Sequence, residues 1–230
     1  MNNIFYGMEK ISLVDYDGKV TCTLFTKGCN FRCPFCHNSS LALDESVPSI
    51  DFNEILEYLE KRKNMLDAVC ITGGEPTLIK ELPDIIKQIK SIGLKIKLDT
   101  NGSNPKMLKE LIDSHLIDYV AMDIKNGLSG YAKTINTHPP LDDIIKSIEI
   151  LKENIIPYEF RTTLVEEFHK EQDIVEISNL IKGASVLYLQ HFINSDNCIR
   201  KDLHEVPKEK ALEYKSFLET FINNVYLRGY

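Results

Sequence analysis

Six times between residues 20 and 192 a short β-rich run gives way to an amphipathic helical pattern, and this alternation constrains the fold most. The runs are VTCTLFT (20–26), DAVCITG (67–73), LKIKLDT (94–100), DYVAMDI (118–124), PYEFRTTLV (157–165) and SVLYLQHF (185–192). They carry β-branched and aromatic residues and end in polar or glycine positions, which is how strands read. Leu82, Ile85, Ile86, Ile89 and Ile92 fall on one face of a helix, and Leu141, Ile144, Ile145, Ile148 and Leu151 repeat the spacing. Phe52, Ile55, Leu56 and Leu59 begin another behind an N-cap at Asp51. Ile174, Ile177, Leu180 and Ile181 mark a fourth, and a last helix spans 207–222, opened by Pro207. Such alternation implies parallel strands with right-handed crossovers. Six units fall short of the eight of a closed barrel. The expected architecture is therefore α/β, an open partial barrel of about six β/α units, with a doubly wound sheet as the rival. No linker or low-complexity tract divides the chain. It reads as a single domain over 1–230, with 1–19 an N-terminal extension, 20–192 the barrel core, and 193–230 a C-terminal loop, helix and short final segment.

Charge and hydropathy exclude several function classes. Lys and Arg number 27 against 34 Asp and Glu, a net charge of −7, with no basic block or stripe. That argues against nucleic acid as the main partner. No apolar run approaches the ~18 residues of a membrane span, and the N-terminus lacks a leader pattern. The expected location is the cytoplasm, where thiols stay reduced. Clustered cysteines there point to metal binding or catalysis.

Both candidate architectures place their chemistry at the C-terminal ends of the strands. The polar residues fall there in turn. The first run leads into GCNFRCPFCHN, with Cys29, Cys33 and Cys36; the second ends in GGEP (Gly73 to Pro76). The next three end in DTNG (Asp99 to Gly102), DIK (Asp123 to Lys125) and RTT (Arg161 to Thr163), and the sixth ends near Gln190 and His191. Three thiols spaced C-x3-C-x2-C suit a cubane iron–sulfur cluster with one iron open to a ligand. The alternative is structural zinc completed by His37 or a remote residue, although no second ligand pair of zinc-site spacing is present. Cys22 and Cys70 lie within strands and read as core, while Cys198 reads as an incidental loop thiol. His115, His138 and His204 read as surface or loop residues. His169 reads as a residue that orders the loop before a helix.

Taken together, ISLVDYDGK, FTKGCNFRCPFCHN, ITGGEPTL, KLDTNGSNP, DYVAMDIK, RTTLV and VYLRG resemble the radical S-adenosylmethionine enzymes. Within them the chain resembles the glycyl-radical-enzyme activases, most of all those of anaerobic ribonucleoside-triphosphate reductase. Asp17 departs from the proline common at that turn in these activases, and 193–206 is weakly matched. The resemblance implies that Cys29, Cys33 and Cys36 hold a 4Fe–4S cluster whose open iron takes S-adenosylmethionine. It implies cofactor contacts from Phe35, Gly73, Gly74, Glu75, Asp99, Thr100, Asn101, Asp123, Lys125, Arg161 and His191. Asp99, Thr100 and Asp123 would alternatively hold a monovalent cation. The alternative for this polar rim is a structural ion-pair network. The implied partners are a glycyl radical enzyme and a low-potential donor such as flavodoxin or ferredoxin. A pyruvate formate-lyase-type activase, a radical enzyme acting on a small molecule and a non-catalytic metal or redox module are the other readings.

Overall fold

All six expected runs are strands of one eight-stranded sheet in the structure, a computed structural model that describes residues 4–43 and 47–230. The first three residues of the N-terminal extension lie outside the described residues. The strands are β1 (Phe5–Ser12), β2 (Thr21–Thr26), β3 (Ala68–Gly73), β4 (Lys95–Thr100), β5 (Tyr119–Asp123), β6 (Tyr158–Leu164), β7 (Leu187–His191) and β8 (Val225–Arg228). They pair in chain order, β1 antiparallel to β2 and all others parallel. Six β/α units thus run from β2 to the helix before β8, and the barrel stays open between β1 and β8. The sheet also takes in both flanks that the sequence reading set outside the core. β8 has four residues, too few to show a period, and β1 carries charged residues at its centre.

The helices α1 (Ser39–Leu43), α2 (Phe52–Arg62), α3 (Leu82–Ser91), α4 (Pro105–Asp113), α5 (Tyr131–Ile135), α6 (Leu141–Lys152), α7 (Glu171–Leu180) and α8 (Lys208–Leu218) connect them. Four were legible from apolar spacing, and α8 from the proline that opens it. Asp51 caps α2 as expected, its carboxylate accepting from the Asn53 N–H at 2.7 Å. No helix among the described residues is long and apolar enough to cross a membrane.

Strand alternation divides the sheet into two unlike faces. Leu24, Ile71, Ile96, Leu98, Val120, Met122, Phe160, Leu187 and Leu189 are fully buried in one apolar core with Ile55, Ile85, Ile86, Ile89 and Ile148 of the helices. Most of the alternate residues are polar, and several bond to one another across the barrel interior. Glu159, almost wholly buried, accepts from Arg228 at 3.1 Å and from the Tyr119 hydroxyl at 3.2 Å.

The connection between β1 and β2 closes the end of the barrel away from the polar strand ends. Asp15 accepts from the Thr23 hydroxyl, and its carbonyl takes a hydrogen bond from the Lys97 ammonium. The Tyr16 ring lies 5.0 Å from that of Tyr119. Asp17, the departure noted in the sequence, accepts from Arg228 and from the Tyr188 hydroxyl, each at 3.2 Å. The hairpin of one sheet edge thereby grips β8 at the other.

The two partners of Arg228 differ in burial, and this sets their energies apart. The Glu159 side chain is 3% exposed and that of Asp17 is 64% exposed. Arg228→Ala strands a buried carboxylate and should cost about 3 kcal/mol in urea denaturation. Asp17→Ala removes an exposed pair and should cost under about 1 kcal/mol. Equal losses would show that bridging the edges, rather than burial of Glu159, sets the cost.

Candidate active site

Past β2 the chain turns through Gly28, whose φ of +83° is left-handed and favours glycine. The turn is fastened to the end of β3. The Gly28 carbonyl accepts from the Glu75 N–H at 2.8 Å, and the Thr26 carbonyl accepts from the Gly74 N–H at 2.8 Å. A Cβ on Gly74 would lie 2.0 Å from the Gly28 oxygen, and one on Gly73 would lie 2.5 Å from Thr26 backbone atoms. No side chain fits at either position. The space that a Cβ would take beside these glycines is filled by the backbone of the end of β2 and the start of the cysteine loop.

The rest of the loop is pinned from other elements. The Arg32 N–H donates to the Ile135 carbonyl at 2.8 Å, and its guanidinium bonds the carbonyls of Cys29 and Phe31. The Arg200 N–H donates to the Pro34 carbonyl at 2.9 Å. His37 stacks on Phe192 at 5.8 Å and places Nε2 2.7 Å from the Ile193 carbonyl. His37 is therefore engaged with the 193–206 segment. Cys198, read as incidental, is buried with its sulfur 3.9 Å from the Phe35 carbonyl.

Cys29, Cys33 and Cys36 line one cavity of about 270 Å³. Phe35, Gly73, Gly74, Glu75, Asp99, Thr100, Asn101, Asp123, Lys125 and Arg161 line it too, so every predicted site residue except His191 is brought together. Burial pushes the Cys33 thiol up to about 12, with the Lys125 ammonium acting against it. Cys29 and Cys36 are also raised by burial, while the N–H groups of Phe31 and Asn38 favour their respective thiolates. Such thiols are protonated at neutral pH, and a metal that binds them displaces protons. Among the described residues no three His, Cys, Asp or Glu side chains converge tightly enough to grip one ion. A cubane binds each thiolate through a separate iron, so three soft donors around a cavity fit it.

Glu75 knits this wall together. Its Oε1 accepts from the Thr77 N–H, the Thr77 hydroxyl and the Thr100 hydroxyl at 3.1, 2.5 and 2.7 Å, and Oε2 accepts from the Asn101 N–H at 2.6 Å. Burial raises its pKa and these bonds oppose the rise. One acceptor place remains on Oε2. Asn101 continues the chain of contacts, donating to Asn30 at 2.9 Å with its amide nitrogen 3.9 Å from the Cys29 sulfur.

The facing wall is charged. Lys97 lies 3.3 Å from Asp99 Oδ1, and Arg161 Nη1 lies 2.9 Å from Asp99 Oδ2. Arg161 Nε lies 2.9 Å from Asp123 Oδ1, and Lys125 lies 2.9 Å from Asp123 Oδ2. The ion-pair network weighed as an alternative is thus present, and it lines the cavity. Thr100 belongs to the other face of β4 and turns its hydroxyl to Glu75, so Asp99, Thr100 and Asp123 do not form one oxygen cage. The Lys125 ammonium also stands 5.9 Å from the Phe35 ring centroid. Phe35 itself packs against Phe168 and Phe192 at 5.9 and 6.4 Å, so it is both a core side chain and a cavity wall.

Lys125 is held from behind by His169, which orders its loop as expected. The Val165 N–H donates to His169 Nδ1 at 3.0 Å, which leaves the proton on Nε2 to donate to the Lys125 carbonyl at 3.0 Å. Burial lowers the pKa of this histidine and keeps the ring neutral.

His191 is the correction. It follows Gln190 on β7 and therefore points to the opposite face, where Nε2 meets Glu205 at 2.8 Å and the ring lies 4.6 Å from that of Tyr230. Gln190 and Thr163, inward by the same alternation, line the cavity instead, as does Ile199. Period-two counting along β6 and β7 would have found the first two; nothing in the irregular 193–206 segment marks Ile199.

Burial alone would raise the Asp123 carboxyl, but Arg161 and Lys125 outweigh it and lower the pKa to about 2. A depressed carboxyl contributes stability above its ordinary range and loses it as pH falls through the folded value. Unfolding free energy should drop between about pH 4 and pH 2 by on the order of 2 kcal/mol through this group. Asp123→Asn should flatten that limb in denaturation series at stepped pH.

Residues 23–181 match the radical SAM superfamily. A Methanocaldococcus jannaschii protein provisionally named a glycyl-radical enzyme activating enzyme is 32% identical, across 99% of this chain and 97% of its own. The pyruvate formate-lyase-activating enzyme of Clostridium pasteurianum is 28% identical, across 94% of this chain and 97% of its own. Streptococcus suis SuiB bound to S-adenosylmethionine shares the fold with a TM-score of 0.66 at 17% identity, over 88% of this chain and 48% of that one. The chain belongs to the radical SAM superfamily, among its glycyl-radical-enzyme activating enzymes, and its cofactors are a 4Fe–4S cluster and S-adenosylmethionine.

Proposed function

We propose that Cys29, Cys33 and Cys36 ligate the cluster and that the chain activates an anaerobic ribonucleoside-triphosphate reductase. One observation carries the site assignment: the three thiols open onto a single cavity whose facing wall is the charged end of β4, β5 and β6. The Gly73–Glu75 turn, with the remaining acceptor place on Glu75 Oε2, receives the ammonium of the methionine moiety. Lys125 and Arg161 receive its carboxylate. Phe35 borders the adenine. Asn101 ties the loop that carries Cys29 to the end of β4, which keeps the thiols at fixed distance from these groups.

A reduced cluster held by Cys29, Cys33 and Cys36 would supply the electron for reductive cleavage of S-adenosylmethionine, and with it the radical chemistry that removes a hydrogen atom from a glycine Cα. Flavodoxin or ferredoxin is the donor this chemistry calls for. Two sequence features favour the reductase as partner. KLDTNGSNP and VYLRG resemble its activases, and residues 37–67 hold no cysteine with which to build further clusters. The Clostridium pasteurianum relative supports pyruvate formate-lyase as the second reading.

Anaerobically reconstituted and reduced protein should convert S-adenosylmethionine to 5′-deoxyadenosine, and a 4Fe–4S-loaded protein that makes none rejects the reading. Alanine at Cys29, Cys33 or Cys36 should abolish the cluster's visible absorbance and the product together. Retention of both in any variant would show that another residue is the ligand.

The partner is tested by electron paramagnetic resonance. A glycyl radical signal should grow on the anaerobic reductase from the same genome. Signal on pyruvate formate-lyase alone would move the assignment to the second reading.

A further inference from the structure

The oxygens that the family resemblance would offer to a monovalent cation are all engaged by this chain's own groups. Asp99 turns Oδ1 to Lys97 and Oδ2 to Arg161, while Asp123 turns Oδ1 to Arg161 and Oδ2 to Lys125. The Thr100 hydroxyl, on the other face of β4, is given to Glu75 at 2.7 Å. Three fixed positive side chains already surround two carboxylates. A further ion would meet net positive charge and would have to displace a nitrogen from each carboxylate.

We propose that Arg161 is a tethered cation. Its guanidinium sits between Asp99 and Asp123, supplies the charge a monovalent ion would supply there, and makes binding at this wall independent of such ions. The geometry is that of a fork. Nη1 and Nε reach the two carboxylates at 2.9 Å each, and Arg161 stands opposite Asp123 in the register of β5 and β6. The planar group presents its donors in fixed directions and cannot lose its proton, so the bridge is permanent. Among the described contacts Nη2 bonds neither carboxylate, and Arg161 lines the cavity, so that nitrogen is available to an anionic ligand group. A lysine could carry the charge but could not span both carboxylates with that geometry. The consequence for S-adenosylmethionine rests on the site assignment proposed above; the exclusion of ions does not.

The direct test needs neither cluster nor cofactor. Sodium-23 line broadening is titrated on wild type, Arg161→Ala, Arg161→Lys, Asp99→Asn and the doubly substituted Arg161→Ala/Asp99→Asn protein. Wild type and Arg161→Lys should show no saturable broadening that Asp99→Asn removes, whereas Arg161→Ala should gain one that the double substitution removes. Saturable broadening in wild type that disappears in Asp99→Asn overturns the proposal, and this outcome is readable even where Arg161→Ala does not fold.

The second measurement is calorimetric titration of S-adenosylmethionine into reconstituted protein at constant ionic strength in sodium, potassium or choline chloride. Wild type should bind equally in all three. Arg161→Ala should bind about 30-fold more weakly in choline and recover with sodium or potassium. Wild-type binding that requires sodium or potassium overturns the proposal. Absence of binding in every salt instead rejects the cofactor site, and the sodium titration still decides the role of Arg161.

Discussion

The site depends on the contact between two stretches of backbone, Gly73–Gly74 at the end of β3 and Thr26–Gly28 at the end of β2. Gly73 and Gly74 both lack the space for a Cβ, and two hydrogen bonds of 2.8 Å cross the contact. That contact sets where Glu75 begins. Glu75 then gathers Thr77, Thr100 and Asn101 around its buried carboxylate, and Asn101 reaches back to the loop that carries Cys29. A methyl group at Gly74 would push the strand off the loop and misplace every one of these partners at once. The glycines therefore act on the chemistry through chain packing.

A parallel sheet covered by helices usually has apolar residues on both faces. Here only the helix-facing side is apolar. The interior carries Lys97, Asp99, Asp123, Glu159, Arg161 and Arg228, each paired with an opposite charge. Isolated buried charges would be ruinous, but here Asp99 and Asp123 each lie between two cations, and Arg161 and Arg228 each lie between two carboxylates. The arrangement also explains why the barrel can remain open. The edges are joined by side chains, through Asp17 and Arg228, where backbone pairing does not reach.

Much of this was legible from residue order. Six strands showed as β-rich runs, four helices as apolar periods and a fifth by its opening proline, the thiols as a spacing, and the charged wall as a succession of strand ends. What escaped has physical reasons. β8 and α5 are too short to display a period. α4 announces itself only by its cap, Asn104 before Pro105, whose side chain accepts from the Met107 N–H at 3.2 Å. His191 was placed by its position at a strand end, but position along a strand does not set the face; parity does, and parity assigns the cavity to Gln190. The packing role of Gly73 and Gly74 could not be read from residue order, because what they approach is a backbone 45 or more residues earlier in the chain.

The cysteine loop shows how far its chemistry is from a local property. As a free peptide, GCNFRCPFCHN would expose its thiols to water and leave them near their ordinary pKa. In the fold, its outer side is covered by the segment least matched to any family pattern. Arg200 bonds Pro34, the Ile193 carbonyl meets His37, Asn197 accepts from the Ser39 hydroxyl, and the Cys198 sulfur packs on Phe35. From the inner side the loop is held by Ile135 and by the aromatic contacts of Phe31 with Tyr131 and of Phe35 with Phe168. Burial from both sides drives the thiols upward, and only Lys125 and a few N–H donors oppose it. Thiols raised in this way hold their protons at neutral pH, and any metal bound to them would have to displace those protons. The spacing of three cysteines is local to the loop, while the medium around their sulfurs is set by segments more than a hundred residues away.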